Sequence, residues 1–167
     1  GKVRQGCGGV SAGTCESCPS GKYREPGTEN VCLPCASCEA GKFRDSCGLG
    51  SSGNCSFCPA GTYKSVAGVG PCDACEAGTW QSGMAGKAGG ATKCSDCVEG
   101  TFQPLGGSST CRKCSPGEYQ NGTGATACRL CLPGQFSMSS QSPHCSTCGL
   151  GQFQDQAAES CRNVSVE

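Results

Sequence analysis

The sequence is poor in the material of an ordinary core. Long aliphatic side chains are few and scattered, and hydrophobic residues make up only 35% of the 167 positions even with cysteine counted among them. A chain of this length usually buries about two-thirds of its unfolded surface around Leu, Ile, Val and Phe, and that solution is excluded here. No run of about 18 apolar residues occurs, so no transmembrane helix or membrane insertion is expected. A charged-then-apolar leader is missing as well; any leader is expected to have been removed or to lie outside these residues. Charge of one sign is also missing. Thirteen Lys and Arg balance thirteen Asp and Glu without a block of either, which excludes a nucleic-acid footprint and a membrane-binding face. No segment holds helical periodicity over three turns, and 28 glycines would unsettle any helix interior.

What the chain has instead is cysteine, 20 in all. That density marks a disulfide scaffold and places the chain in the secretory pathway, outside the cell or on its surface. A bridge closing a loop of about 15 residues contributes roughly 3 kcal/mol, mainly by restricting the unfolded chain. Such bridges must stand in for a core against a conformational entropy on the order of 1–2 kcal/mol per residue.

One pattern, C-x2-C-x2-G-x-aromatic, recurs eight times, its second cysteines being Cys18, Cys38, Cys58, Cys75, Cys97, Cys114, Cys131 and Cys148. The steps between them are 20, 20, 17, 22, 17, 17 and 17 residues. A glycine stands three residues after each, from Gly21 to Gly151, and a ring two further on: Tyr23, Phe43, Tyr63, Trp80, Phe102, Tyr119, Phe136 and Phe153. Of nine aromatic residues only Phe57 falls outside the pattern. One unit therefore reads as a tight turn at glycine, where positive φ costs nothing, and a short strand whose ring covers a nearby cystine. A Gly/Ser/Thr/Asn/Pro loop then leads back to the next cysteine; in Gln120-Asn121-Gly122-Thr123-Gly124 the Asn-Gly pair signals a hairpin tip. Limbs of about six residues are expected. Each unit must lean on its neighbours, so the chain should be an elongated, quasi-one-dimensional array without a cleft.

In the even repeats the simplest closure joins the second Cys of one pair to the first of the next: Cys58–Cys72, Cys75–Cys94, Cys97–Cys111, Cys114–Cys128, Cys131–Cys145 and Cys148–Cys161. Bridging within C-x2-C is the alternative, though such small rings are typical of redox sites.

The first third carries extra cysteines. The run Cys18-Pro-Ser-Gly-Lys-Tyr23 to Cys32, then Cys35-Ala-Ser-Cys38-Glu-Ala-Gly-Lys-Phe43, Cys47 and Cys55 resembles the cysteine-rich modules of tumour-necrosis-factor receptors. The whole array is similar to the ephrin-receptor-like cysteine-rich repeats of many extracellular proteins, including long repeat proteins of algae and other protists. The receptor module's nested pairing implies Cys18–Cys32, Cys35–Cys47 and Cys38–Cys55. Cys7 and Cys15 match Cys47 and Cys55 in their eight-residue step and C-G-x-x-S-x-G-x-C pattern. Their partners are thus expected in a repeat before Gly1; a Cys7–Cys15 bridge is the alternative.

Other motifs are weaker. The C-x2-C pairs could be zinc knuckles, but each also carries the Gly-aromatic signature, Cys7, Cys32 and Cys47 fall outside the pairs, and the sole histidine is His144. Gly9-Val10-Ser11-Ala12-Gly13 matches a hydrolase nucleophile elbow, yet sits in a loop between cysteines, without the strand and helix that motif needs. His144 reads as an exposed loop residue. The Gly-rich stretch 83–90 lacks the spacing of a phosphate loop and reads as a surface insertion. Three sequons, at Asn54, Asn121 and Asn163, are possible glycan sites, with Asn121 the best placed and Asn54 the poorest because Cys55 lies within its sequon.

The expected fold is small and disulfide-rich: an elongated tandem array of short β-hairpin/loop repeats with little hydrophobic core. Residues 1–17 form a partial N-terminal repeat, 18–57 a receptor-like module, 58–161 six short repeats and 162–167 a tail. The expected function is non-catalytic, without cofactor or metal: a structural segment of a larger secreted or surface protein, such as a stalk, matrix or filament component. Its partners would be other copies, neighbouring repeats and N-linked glycans. The alternative is a receptor-like ectodomain that binds a protein ligand.

Overall fold

A computed structural model describes residues 2–5, 14–25, 31–48, 50–83 and 90–164, with the backbone alone for 2–5 and 14–17. The described residues contain no helix and form nine separate two-stranded sheets, each a sequence-local pair of strands. The hairpins are tandem and none closes into a larger sheet. Most strands have only two residues, such as Thr101–Phe102 against Arg112–Lys113 and Glu118–Tyr119 against Arg129–Leu130. Limbs of six residues were too long an expectation. The bridge that closes each loop sets the register, so a long hydrogen-bonded ladder is not needed to hold it.

Nine disulfides join Cys18–Cys32, Cys35–Cys47, Cys38–Cys55, Cys58–Cys72, Cys75–Cys94, Cys97–Cys111, Cys114–Cys128, Cys131–Cys145 and Cys148–Cys161. From Cys55/Cys58 onward every C-x2-C pair is split, its first sulfur closing one loop and its second opening the next, whereas Cys35 and Cys38 both open loops. The glycine of each unit lies in the left-handed region, with φ from 73° at Gly100 to 83° at Gly78. It completes a turn in which its carbonyl accepts the N–H of the cysteine opening the following unit, as Gly100 does from Cys114 at 2.9 Å.

The chain divides into two compact units. One comprises Gly1–Pro59, Tyr63–Asp73 and Met84–Thr92, the other Ala60–Thr62, Ala74–Gly83 and Lys93–Glu167. In the first, a four-residue hairpin, Lys42–Asp45 against Asn54–Phe57, carries the two interleaved bridges from Cys35 and Cys38. The Arg44 guanidinium ties down its tip, donating from Nε to Ala36 O at 2.8 Å and from Nη1 to Ser52 O and Gly53 O at 3.2 and 2.9 Å. The second unit holds the evenly spaced repeats.

The buried hydrophobic residues are mostly second cysteines, from Cys38 to Cys131, with Cys35, Ala91 and Ala158 beside them. Cys75, Cys97 and Cys114 are at most 1% exposed, while the rings from Tyr23 to Phe136 are only half-buried and Phe153 is 48% exposed. Successive side chains point to opposite faces, and in four units the residue after the ring, Lys64, Gln103, Gln120 or Ser137, is the more enclosed of the two.

Candidate functional site

The residues after the rings are Arg24, Arg44, Lys64, Gln81, Gln103, Gln120, Ser137 and Gln154, polar in every unit. Among the described residues, four of the five buried polar side chains, Lys64, Gln103, Gln120 and Ser137, stand at this position. Among the described residues no buried side-chain polar atom lacks a partner, so each must be satisfied inside the fold.

The side chain holds the unit's own loop. Gln103 Nε2 donates to Thr110 O at 2.7 Å and Gln103 Oε1 accepts from Leu105 N at 3.3 Å. Gln120 repeats this with Ala127 O at 2.8 Å and Gly122 N at 3.2 Å. Ser137 is too short to span the loop and bonds Ser142 Oγ at 2.7 Å, which in turn donates to Ser139 O. Lys64 does the same with charge, its Nζ donating to Gly68 O and Gly70 O at 2.7 and 2.8 Å. Two carbonyl dipoles solvate the ammonium, which pairs with no carboxylate among the described residues.

The backbone of the same residue joins unit to unit. Gln103 O accepts from Gly78 N of the unit before at 2.7 Å, and Gln103 N donates to Ala125 O of the unit after at 2.9 Å. Gln120 stands likewise between Gly100 and Ser142, and Ser137 between Gly117 and Ala158. Within the first unit Lys64 links Gly41 to Ala91. The loop then reaches back to the cysteines, with Gly107 N on Cys75 O and Gly124 N on Cys97 O, both at 2.8 Å. It also reaches one unit further than the nearest-neighbour expectation allowed. A Cβ on Gly78 would fall on the carbonyl of Gly124, and one on Gly100 on that of Gln141, each two units along the chain. A repeat of about 17 residues is too thin to cover its predecessor, so two successors share the task.

The other sequence-marked residues lie elsewhere. Cys7 and Gly9–Gly13 fall outside the described residues, as does the interior of the 83–90 insertion; for Cys15 only the backbone is described, in Thr14–Ser17. His144 is exposed in a loop. Asn54 is exposed on Asn54–Phe57, and Cys55 beside it is bridged. Asn163 Oδ1 accepts from Gln152 Nε2 at 3.1 Å. Asn121 is exposed at the start of a loop, but Asn121-Gly122 does not form a two-residue hairpin turn. Neither has positive φ; Gly124 does, and a type I′ turn needs it at both central positions.

Electrostatics adds two local features. Asp155 is held below the usual carboxylate range, first by the Ser160 hydroxyl at 2.6 Å and then, against partial burial, by backbone N–H groups and Arg162. Tyr23 is raised, by partial burial and then by the nearby Glu25 carboxylate. An open hollow beside Phe153 is lined by Asp155, Gln156, Ala157, Glu159 and Arg162.

The position after the ring went unremarked in the sequence reading, although a signal was present: eight units carry eight polar, hydrogen-bonding side chains there. No helix among the described residues is long and apolar enough to cross a membrane, and no curated protein matches the chain. A disulfide-rich fold of this kind is of a non-enzymatic, extracellular, receptor-like or repeat type. Residues 83–131 match the family described as tyrosine-protein kinase ephrin type A/B receptor-like, and the nine bridges around them follow the tandem pattern of ephrin-receptor-like cysteine-rich repeats.

Proposed function

We propose that the chain is a non-catalytic structural repeat segment of a secreted or surface protein, of the stalk, matrix or filament kind. One observation carries this reading. Recurring polar side chains that a binding protein would turn outward, such as Gln103 and Gln120, are spent on holding their own loops, while the backbone of the same residues joins repeat to repeat. N-linked glycans belong to the same reading. Asn121 is the favoured carrier, exposed in a loop, whereas the Asn163 side chain is already hydrogen-bonded to Gln152.

The receptor-like reading is favoured by the description of the matched family. The two separate in a binding screen of the oxidised, secreted chain against extracellular and cell-surface proteins. A structural segment should show no saturable partner other than itself. A distinct protein ligand with Kd below about 1 μM, in the range of specific complexes, would overturn the structural reading. For the glycan, secretion from a eukaryotic host should give a mass that falls on glycosidase treatment and in Asn121→Gln, with no fall in the variant refuting the assignment.

A further inference from the structure

Strand register sorts the side chains of the second unit into two faces, because residues directly opposite in an antiparallel pair share a face. In each of its repeats the ring is paired with the residue that follows the loop-closing cysteine. Arg112 stands opposite Phe102, Arg129 opposite Tyr119 and Arg162 opposite Phe153, with serine in the other two repeats. No carboxylate stands opposite a ring there. Asp96, Lys113 and Glu118 fall on the other face, paired with Thr79, Thr101 and Leu130.

Charge is also partitioned along the chain. Residues 100–154 hold Arg112, Lys113 and Arg129 against one acid, Glu118, although the formal net charge of the whole is zero. The Glu118 carboxylate is engaged, accepting Ser115 N at 3.1 Å. Arg112 and Arg129 are exposed, and their side chains have no hydrogen bond or ion pair among the described residues. Arg162 differs, since Asp155 and Glu159 line the hollow with it. The two unpaired arginines stand one repeat apart, on hairpins joined by Gly100 N to Gln120 O at 2.7 Å and Gln103 N to Ala125 O at 2.9 Å. The ring opposite each is half-buried. Arg129 also lines an open hollow of about 490 Å³ in the 120–129 loop, whose other lining residues are uncharged.

We propose that this face, Phe102 with Arg112 and Tyr119 with Arg129, binds an acidic polysaccharide. Charge complementarity calls for an anion, and the guanidinium fork engages a carboxylate or sulfate through two N–H groups. The neighbouring ring presents the negative face of its quadrupole, which suits the C–H edges of a sugar. Two like pairs one repeat apart suit a partner that itself repeats. A protein ligand fits less well, because its anchors need enclosed pockets and this face offers an open hollow. The inference rests on the matrix form of the structural reading and names its partner.

Calorimetric titration of the oxidised chain with a heparin oligosaccharide, a polyuronate oligosaccharide and polyglutamate tests it. The chain is used before and after glycosidase treatment, because Asn121 lines the same hollow. Saturable binding of the sulfated or the carboxylated saccharide is expected in at least one of these states, weakening as salt is raised; either saccharide supports the proposal. The double variant Arg112→Ser/Arg129→Ser should weaken it at least about tenfold. The fold should tolerate the change, since Ser95 and Ser146 occupy the equivalent positions. Arg112→Ser and Lys113→Ser remove the same charge from opposite faces of one hairpin, and only the first should matter. No binding at about 1 mM, equal loss in Lys113→Ser, or polyglutamate bound as tightly as either saccharide overturns the proposal. Any of these leaves the stalk and filament forms of the structural reading standing, and that reading fails separately, on discovery of a distinct protein ligand.

Discussion

Replacing Gly78 and Gly134 by alanine, one at a time, isolates the contact between a repeat and the loop two repeats beyond. The two glycines hold the same place in their turns, with φ of 83° and 80° and carbonyls that accept Cys97 N and Cys148 N at 2.9 and 2.8 Å. Each variant bears the same left-handed penalty, about 1–2 kcal/mol. At Gly134 nothing further is met. At Gly78 the new methyl would fall on the Gly124 carbonyl, with the carbonyl carbon 2.8 Å away, and both atoms are backbone. Clearing it requires moving a loop pinned by Gly124 N to Cys97 O and by Gln103 N to Ala125 O. Losing two such bonds costs about 1 kcal/mol each, so Gly78→Ala should cost about 2 kcal/mol more than Gly134→Ala. Amide exchange reads this locally while the bridges stay intact. The Gly124 and Gln103 amides should exchange roughly 30-fold faster in Gly78→Ala, at about tenfold per 1.4 kcal/mol, and be unaffected by Gly134→Ala. Equal tolerance of the two substitutions would refute the two-repeat packing.

Three further outcomes are expected. Gln103→Leu leaves Thr110 O and Leu105 N without their partner and should cost about 1–3 kcal/mol in thermal or denaturant melts; Gln81→Leu, which removes a single exposed bond of 3.2 Å to Lys93 O, should cost less. Gln141, at φ 65°, holds the place that Gly107 and Gly124 occupy in the two preceding repeats, so Gln141→Gly should stabilise by up to about 1 kcal/mol, with no gain refuting backbone strain there. The depressed Asp155 carboxyl contributes stability that is complete above the ordinary carboxylate pKa and is lost as pH falls through its lowered value. A carboxyl-shift titration should show Ser160→Ala moving that value back up.

The repeat was legible because its turns depend on residues with no substitute. Only cysteine makes the bridge, and a φ near 80° at Gly61 or Gly117 favours glycine so strongly that spacing alone exposes the unit. What escaped was the role of Gln103, Gln120 and Lys64. Burial is inferred from apolarity, and these side chains are buried because their polar ends are satisfied by loop carbonyls. The reach from Gly78 to Gly124 was illegible for another reason: it depends on how thin a repeat is in space, which no local spacing encodes. Asn121-Gly122 misled because the bridge from Cys114 to Cys128 already fixes the loop, leaving its tip free to adopt another turn.

The split of each C-x2-C pair from Cys55/Cys58 onward has a mechanical consequence. Tension entering at Cys58 can cross the bridge to Cys72, follow Asp73-Ala74 to Cys75, cross to Cys94, follow Ser95-Asp96 to Cys97, and continue in this way to Cys161. Sulfur–sulfur bonds alternate with dipeptides along that line, and every ring, loop and sequon in between hangs from it as a slack side branch. The load path is therefore covalent and far shorter than the polypeptide, so substitution or decoration within the loops leaves its length unchanged, and only reduction of the bridges releases the stored contour.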